Sequence, residues 1–330
     1  MNSVRGASRR RTLSAGLVTA CAVVAGVMAP LTAQASMIPS ANLKYWGGLV
    51  YQGPAIALIY WGQWWHEYGE HQSDIKNYMK DYFSGIGTPR DNWSPVVTQY
   101  GDTLGNRPQL GTTRGVYSAK LVWTDSSNPP RIATTADIAN EVAKYAEKLL
   151  PSKPQSVSLP IFYVLSPPWA HPEGFGLKGS DLCARHDSAY ASNAAGIYYR
   201  VPFVNLPDYL GSSLVKQLTC FGYSDLPSIR TTPKALDAFS VNAGHELAEV
   251  LTDPWDTLTA CPGCKLTFPD VAWASSMRGK PDLEAEIADK CEGQIFAEHL
   301  PSGWFAQQKL WDNETGKCQK AVYGRIPLRR

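Results

Sequence analysis

After its first 35 residues the chain has no apolar run long enough to span a bilayer, so its remaining part is expected to carry no membrane anchor. It also lacks a charge imbalance. Of 31 lysines and arginines four lie in the leader, leaving 27 against 29 acids, and this offers no electrostatic case for nucleic acid or an anionic membrane as partner. Internal repeats, heptads and low-complexity tracts are missing, which excludes solenoid and coiled-coil designs. Ser188 stands next to His186 and Asp187 but has no nucleophile elbow around it, so a serine-hydrolase triad is not supported.

What is present at the start is an export signal. Arg5, Arg9, Arg10 and Arg11 form a basic region, Leu13 to Met28 an apolar run, and Ala33-Gln34-Ala35 a small-x-small cleavage site, giving a signal peptide over 1–35. The arginine run leaves the Sec and twin-arginine routes both open. The protein is therefore expected to be secreted and extracellular, with 36–330 as a single α/β domain: a sheet and helix part over 36–168 and a motif-bearing part over 169–330. Six cysteines follow Cys21, namely Cys183, Cys220, Cys261, Cys264, Cys291 and Cys318. An even count in an exported chain reads as disulfides, with a zinc knuckle of Cys261, Cys264, Cys291 and Cys318 as the rival.

The apolar run Ala55 to Trp61 reads as a buried strand, and Ser73 as the cap of a helix whose apolar face is Ile75, Tyr78, Met79, Tyr82 and Phe83. Thr88 to Arg114 reads as loop with at most a short strand near Val96 to Tyr100. Gly115 to Trp123 is the next strand. Thr134 and Asp137 form a capping box for a helix stopped by Pro151, and Leu159 to Leu165 is another buried strand. Strand, helix, strand, helix, strand is an α/β rhythm, predicting a mixed central sheet flanked by helices. Beyond it, Cys183 to Ser188 reads as loop, Gly196 to Leu206 as strand, Asp208 to Leu218 as a short helix, and Trp304 to Trp311 as short strands or turns.

The stretch Leu236 to Pro254 breaks several local rules at once. Thr232-Pro233 starts a helix and Asp253-Pro254 stops it. His245 and Glu249, four apart, share a face, while Glu246 is rotated about 100° from His245. That is the layout of the His-Glu-x-x-His metal motif with Glu249 in place of the second histidine. Glu246, Glu249 and Asp253 crowd negative charge at the C-terminal half, where the helix dipole disfavours it, and Gly244 adds a helix penalty of about 1 kcal/mol. Such concentrated violations point to a site where a cation or ligand offsets the repulsion.

His-Glu-Leu-Ala-Glu at 245–249, Thr-Asp-Pro at 252–254 and Glu-Ile-Ala-Asp-Lys-Cys-Glu at 286–292 together resemble the EXORDIUM-like, or phosphate-induced, family of plants and microbes. Tyr51 to Pro54 leading to Tyr60-Trp61-Gly62, the strand Ile161 to Ser166, and Cys183 with His186 agree in order. The resemblance departs after Glu292, where the glycine-rich stretch of plant members is missing. It implies secretion, a cell-wall role and a zincin-like metallopeptidase core, to which the cysteine count adds a disulfide-rich C-terminal part. On the residues themselves, His245 and Glu249 are metal ligands with Glu286 or Asp289 as the third. Glu286 is preferred as ligand, leaving Asp289 to hold the outer nitrogen of the His245 ring. Glu246 would take a proton from the attacking water and His186 would polarise the oxyanion. The expected activity is that of a metal-dependent hydrolase, a zinc peptidase acting on a peptide or cell-wall substrate, with Mn2+ or Ca2+ as alternatives to Zn2+. The alternative is a non-catalytic extracellular protein that keeps the cluster as a structural ion site or hydrogen-bond network. His66, His71, His171 and His299 have no such context and read as surface or packing residues.

Overall fold

Six consecutive buried residues, Ile56–Trp61, form strand β1, and a strand buried on both faces belongs inside a parallel sheet. The computed structural model describes residues 42–67, 69–110, 115–152, 159–173, 175, 182–208, 220, 234–255, 271–282 and 285–321. In it β1 pairs in parallel with β2 (Tyr117–Asp125) on one side and β3 (Ile161–Leu165) on the other. Two further strands, β4 (Arg185–Ser192) and β5 (Tyr198–Asn205), complete a five-stranded sheet in the order β2-β1-β3-β5-β4. β5 runs parallel to β3, whereas β4 runs antiparallel at the edge, so the central sheet is mixed as expected.

Side-chain alternation divides the core into two layers. Ala57, Ile59, Phe162, Val164 and Phe203 pack with Ile138, Val142 and Tyr145 of helix α2 (Thr135–Ala146). On the other face Leu58, Tyr60, Tyr163, Leu165 and Val204 pack with helices α1 (Glu70–Gly85) and α3 (Lys234–Thr252). α3 is further held by Tyr163, whose hydroxyl donates to the Ala243 carbonyl at 2.8 Å, and by Ser240, which donates to Ala306 O at 2.7 Å.

The later part of the chain contributes hairpins. β6 (Trp273–Met277) pairs with β7 (Lys280–Asp282), β8 (Ile295–Leu300) with β9 (Gly303–Gln308), and β10 (Leu310–Asp312) with β11 (Lys317–Gln319). Disulfides join Cys183 to Cys220 and Cys291 to Cys318. The second bond uses two thiols that a zinc knuckle would need, so that rival is excluded, while Cys261 and Cys264 lie outside the described residues. Among the described residues no helix is long and apolar enough to cross a membrane.

Several elements differ from expectation for identifiable reasons. α1 begins after Gly69, not at Ser73, which sits inside the first turn and bonds back to the Gly69 carbonyl. The stretch near Val96 is a 3-10 helix over Ser94–Gln99, because Asp91 accepts from the backbone of Trp93 and Ser94 and starts a turn. The Cys183 to Ser188 region is not a loop, since Arg185 onward is the edge strand β4. The capping box at Thr134 and Asp137 is present in full, and α3 stops at Thr252 as the following Asp253-Pro254 requires. The Thr232-Pro233 start and all but the first residue of the helix read over Asp208 to Leu218 lie outside the described residues.

Gly244 has a packing reason. A Cβ there would lie 2.5 Å from Gln307 Oε1 and 2.7 Å from the Tyr82 hydroxyl, two fully buried groups that are hydrogen-bonded to each other. Gly244→Ala should therefore lose about 1–3 kcal/mol through overpacking and forgo the usual helix gain of about 1 kcal/mol. Urea unfolding measures the sign; a more stable variant would show that the close approach is not a constraint.

Candidate metal centre

Three elements converge under the sheet. α3 supplies His245, Glu246 and Glu249. β4 supplies His186, which lies directly opposite Val204 and so projects from the sheet face that α3 covers. Its neighbours Asp187 and Ser188 do not extend this to a triad: alternation sends Asp187 to the other face, and Ser188 Oγ accepts from Arg200 Nε at 2.9 Å. The third element is the turn entering the short 3-10 helix Asp289–Cys291, where Asp289 Oδ2 accepts from the Glu286 amide at 3.0 Å and so fixes both carboxylates on one turn. The Cys291–Cys318 disulfide and the bond from Trp311 N to Ile287 O at 3.0 Å anchor that turn.

All six site residues expected from the sequence meet here. His186 Nδ1 lies 3.0 Å from Glu246 Oε2 and 3.6 Å from Glu249 Oε2, and its Nε2 lies 3.8 Å from Glu286 Oε2. His245 Nε2 lies 3.1 Å from Glu249 Oε1 and 3.2 Å from Asp289 Oδ1. Two groups thus form, His186 with Glu249 and Glu286, and His245 with Glu246 and Glu249, each with ligand atoms within 4.8 Å of one another. The first group is buried throughout; the second reaches the rim, where the side chains of His245 and Asp289 are 18% and 26% exposed.

The outer partners fix the proton positions. Gln308 Nε2 donates to Ala288 O at 2.6 Å, which makes Gln308 Oε1 an acceptor; it faces His245 Nδ1 at 3.3 Å, so that nitrogen carries hydrogen and Nε2 of the neutral ring presents a lone pair. Glu246 plays the same part for His186 Nδ1. Asp289 is therefore not the outer partner of His245, because it faces Nε2, and Gln308 holds the ring instead. Glu286 turns towards His186. Gln308 was invisible to motif reading, since nothing in the local sequence marks a glutamine at a strand's end.

His186 Nε2, Glu249 Oε1 and Glu286 Oε2 are buried and have no hydrogen-bond partner among the described residues. Glu249 Oε1 is close to His245 Nε2, but the contact is not aligned as a hydrogen bond. A buried polar atom without a partner costs about 1–3 kcal/mol, and three in one cluster require a common explanation. A cation supplies one. Bonds of about 2.0–2.2 Å around a tetrahedral zinc place neighbouring donors roughly 3.4 Å apart; His186 Nε2 and Glu286 Oε2 lie 3.8 Å apart and the ligand atoms of the group within 4.8 Å, so the residues fit such an ion after a small inward shift.

Electrostatics point the same way. Burial raises the Glu249 carboxyl to about 7, helped by Asp289 and opposed by His245. Burial, then Glu249, Asp253 and Asp289, push Glu286 well above the usual carboxylate range. For His186 burial works downward, but the hydrogen bond and charge of Glu246, with Glu249 and Asp253, carry it up to about 9. His245 is likewise raised despite burial, chiefly by Glu249 and Asp289, and Asp289 is lowered despite burial by its contact with His245.

A pH dependence follows for the metal-free protein. A carboxyl raised from 4.5 to about 7 on folding opposes the fold increasingly as pH climbs through that window. A histidine raised from 6.5 to about 9 stabilises below the lower value and loses that contribution as pH rises to the upper one. Both signs agree, so thermal unfolding in chelator should show stability falling between roughly pH 5 and 9. With saturating zinc the slope from this cluster should reverse, because the ion needs deprotonated ligands. A slope unaffected by zinc would contradict the assignment.

Two other histidines have partners of their own: His71 pairs with Asp208 at 3.0 Å and His299 stacks on Trp304. Compared with protein-family models, curated proteins and solved structures, the chain matches none.

Proposed function

We propose that this chain is a secreted metal-dependent hydrolase, a zinc peptidase of EXORDIUM-like type with a zincin-like core. The observation that carries the proposal is the convergence of buried His186, Glu249 and Glu286, whose ligand atoms lie within 4.8 Å of one another and among which His186 Nε2 and Glu286 Oε2 have no hydrogen-bond partner among the described residues. The leader and the two disulfides support an oxidising, extracellular setting. One imidazole with two carboxylates suits Zn2+ and also Mn2+, while Ca2+ would need further oxygens.

In this reading His186, Glu249 and Glu286 hold the ion, which when bound supplies Lewis acidity towards a substrate carbonyl. Glu246 gives Oε2 to His186 Nδ1, thereby holding the ring with Nε2 towards the ion, and takes the proton of the attacking water on its other oxygen. His245, at the partly exposed rim, is held as the imidazolium by Glu249 and Asp289, and its Nε2–H stabilises developing negative charge on the substrate while Gln308 keeps the ring in place. The two histidines thus exchange the roles expected from the sequence.

Casein or peptide cleavage tests this. Glu246→Gln should reduce turnover by about 10²–10⁴-fold while the ion held by His186, Glu249 and Glu286 is retained. The depth of His186, Glu249 and Glu286, none more than 8% exposed, favours a second reading in which the ion is structural and the protein non-catalytic. Under it a chelator lowers the melting temperature although no peptide is cleaved by either form.

A further inference from the structure

The two oxygens of Glu249 do not face the same histidine. Oε1 lies 3.1 Å from His245 Nε2, whereas Oε2 lies 3.6 Å from His186 Nδ1, and Glu249 also belongs with His186 and Glu286 to a group whose ligand atoms lie within 4.8 Å of one another. A carboxylate shared in this way has the geometry of a bridge. The two triads of potential ligands have Glu249 as their only common member, and each contributes its own histidine and its own second carboxylate.

Charge makes the same point. Glu246, Glu249, Glu286 and Asp289 bring four carboxylates to two imidazoles, with Asp253 buried close by. One divalent ion would leave the ionised cluster markedly negative in a site from which water is largely excluded. Two would bring it near neutrality, and uncompensated buried charge is the costlier arrangement. Both imidazoles are also prepared alike: each has Nδ1 committed to a side-chain oxygen, Glu246 for His186 and Gln308 for His245, which leaves each Nε2 lone pair turned towards carboxylates.

We infer that the cluster is a dinuclear centre, in which a second divalent ion is held at the rim by His245, Glu246 and Glu249, with Glu249 bridging it to the buried ion. This rests on the metal-binding reading given above. It changes two roles: His245 becomes a ligand and no longer the group that stabilises the oxyanion, and Glu246 becomes a ligand through the oxygen not given to His186, while Asp289, beside His245 and partly exposed, is the carboxylate left at the opening. Paired ions a few ångströms apart suit a substrate in which both an attacking and a leaving oxygen or nitrogen need stabilising, as in peptide or phosphoester hydrolysis.

The experiment is metal counting on the full-length mature protein, loaded separately with Zn2+ and Mn2+, dialysed and assayed by elemental analysis. The expected result is two ions per wild-type chain, one in His245→Ala, and one in Glu246→Gln. Electron paramagnetic resonance of the Mn2+-loaded wild type, which needs no variant to fold, should show a spin-coupled pair in place of the six-line signal of an isolated ion. A single ion in the wild type, retained in Glu246→Gln and accompanied by an uncoupled manganese signal, overturns the dinuclear centre and leaves the one-ion reading standing. No ion in the wild type overturns both.

Discussion

Glu249→Gln is expected to weaken zinc binding by more than about 100-fold, since loss of a ligand should exceed the 10–100-fold typical of outer partners. The same change should raise the melting temperature of the metal-free protein at pH 8. The two effects have one origin. Glu249 is almost fully buried, and burial together with Asp289 lifts its carboxyl to about 7, so at pH 8 the fold carries an anion in surroundings that disfavour it. Glutamine keeps the shape and removes the charge. Without metal that relieves repulsion; with metal it removes the one side chain common to both ligand groups. A residue kept for packing alone would show neither the gain in chelator nor the loss with zinc. Calorimetric titration and thermal unfolding of wild type and variant, each with and without zinc, give the four values needed. Equal zinc affinity in the two proteins would remove Glu249 from the site.

Removing the ion should destabilise the wild type substantially. A ligand present at a thousand times its dissociation constant contributes about 4 kcal/mol, which in a chain of this size corresponds to a fall of roughly 10 °C in melting temperature on chelation. The loss should be local in origin. α3 packs against the sheet and α1 through Phe239, Leu247, Val250 and Leu251, all fully buried, and that apolar contact does not depend on the ion. The Glu286 to Cys291 turn is different, because besides its apolar packing through Ile287 it is tied to α3 by Asp289 at His245 and by Ala288 through Gln308, which faces the same ring. Hydrogen exchange in chelator should therefore speed first in that turn, with α3 and β3 still protected. Uniform exchange throughout, or an unchanged melting temperature, would argue against an ion joining the turn to the helix.

The sequence was most legible where one local rule decides the outcome. A proline after Asp253 stops α3, a reciprocal Thr134 and Asp137 pair starts α2, and a continuous apolar run makes β1. The i, i+4 spacing was enough to place His245 and Glu249 together, and they lie 3.1 Å apart. Reading failed where a polar residue occupies a core-facing position. Arg185-His186-Asp187-Ser188 looks like loop because its alternation is hidden: His186 turns inward to meet charge, not to bury apolar surface. The pairing of Glu286 with His186 and of Asp289 with His245 was equally out of reach. It depends on how a short turn is tied down by Trp311, 24 residues beyond its partner Ile287, and by Cys318, 27 beyond Cys291.

The most direct measurement is anomalous diffraction at the zinc edge from a crystal of the protein grown with Zn2+. The expected result is a peak within about 2.0–2.2 Å of His186 Nε2 and of carboxylate oxygens from Glu249 and Glu286. If those three atoms are instead joined by a water molecule or by a shared proton, and no anomalous peak lies among them at any zinc concentration tried, the cluster is a hydrogen-bond network and not a metal centre.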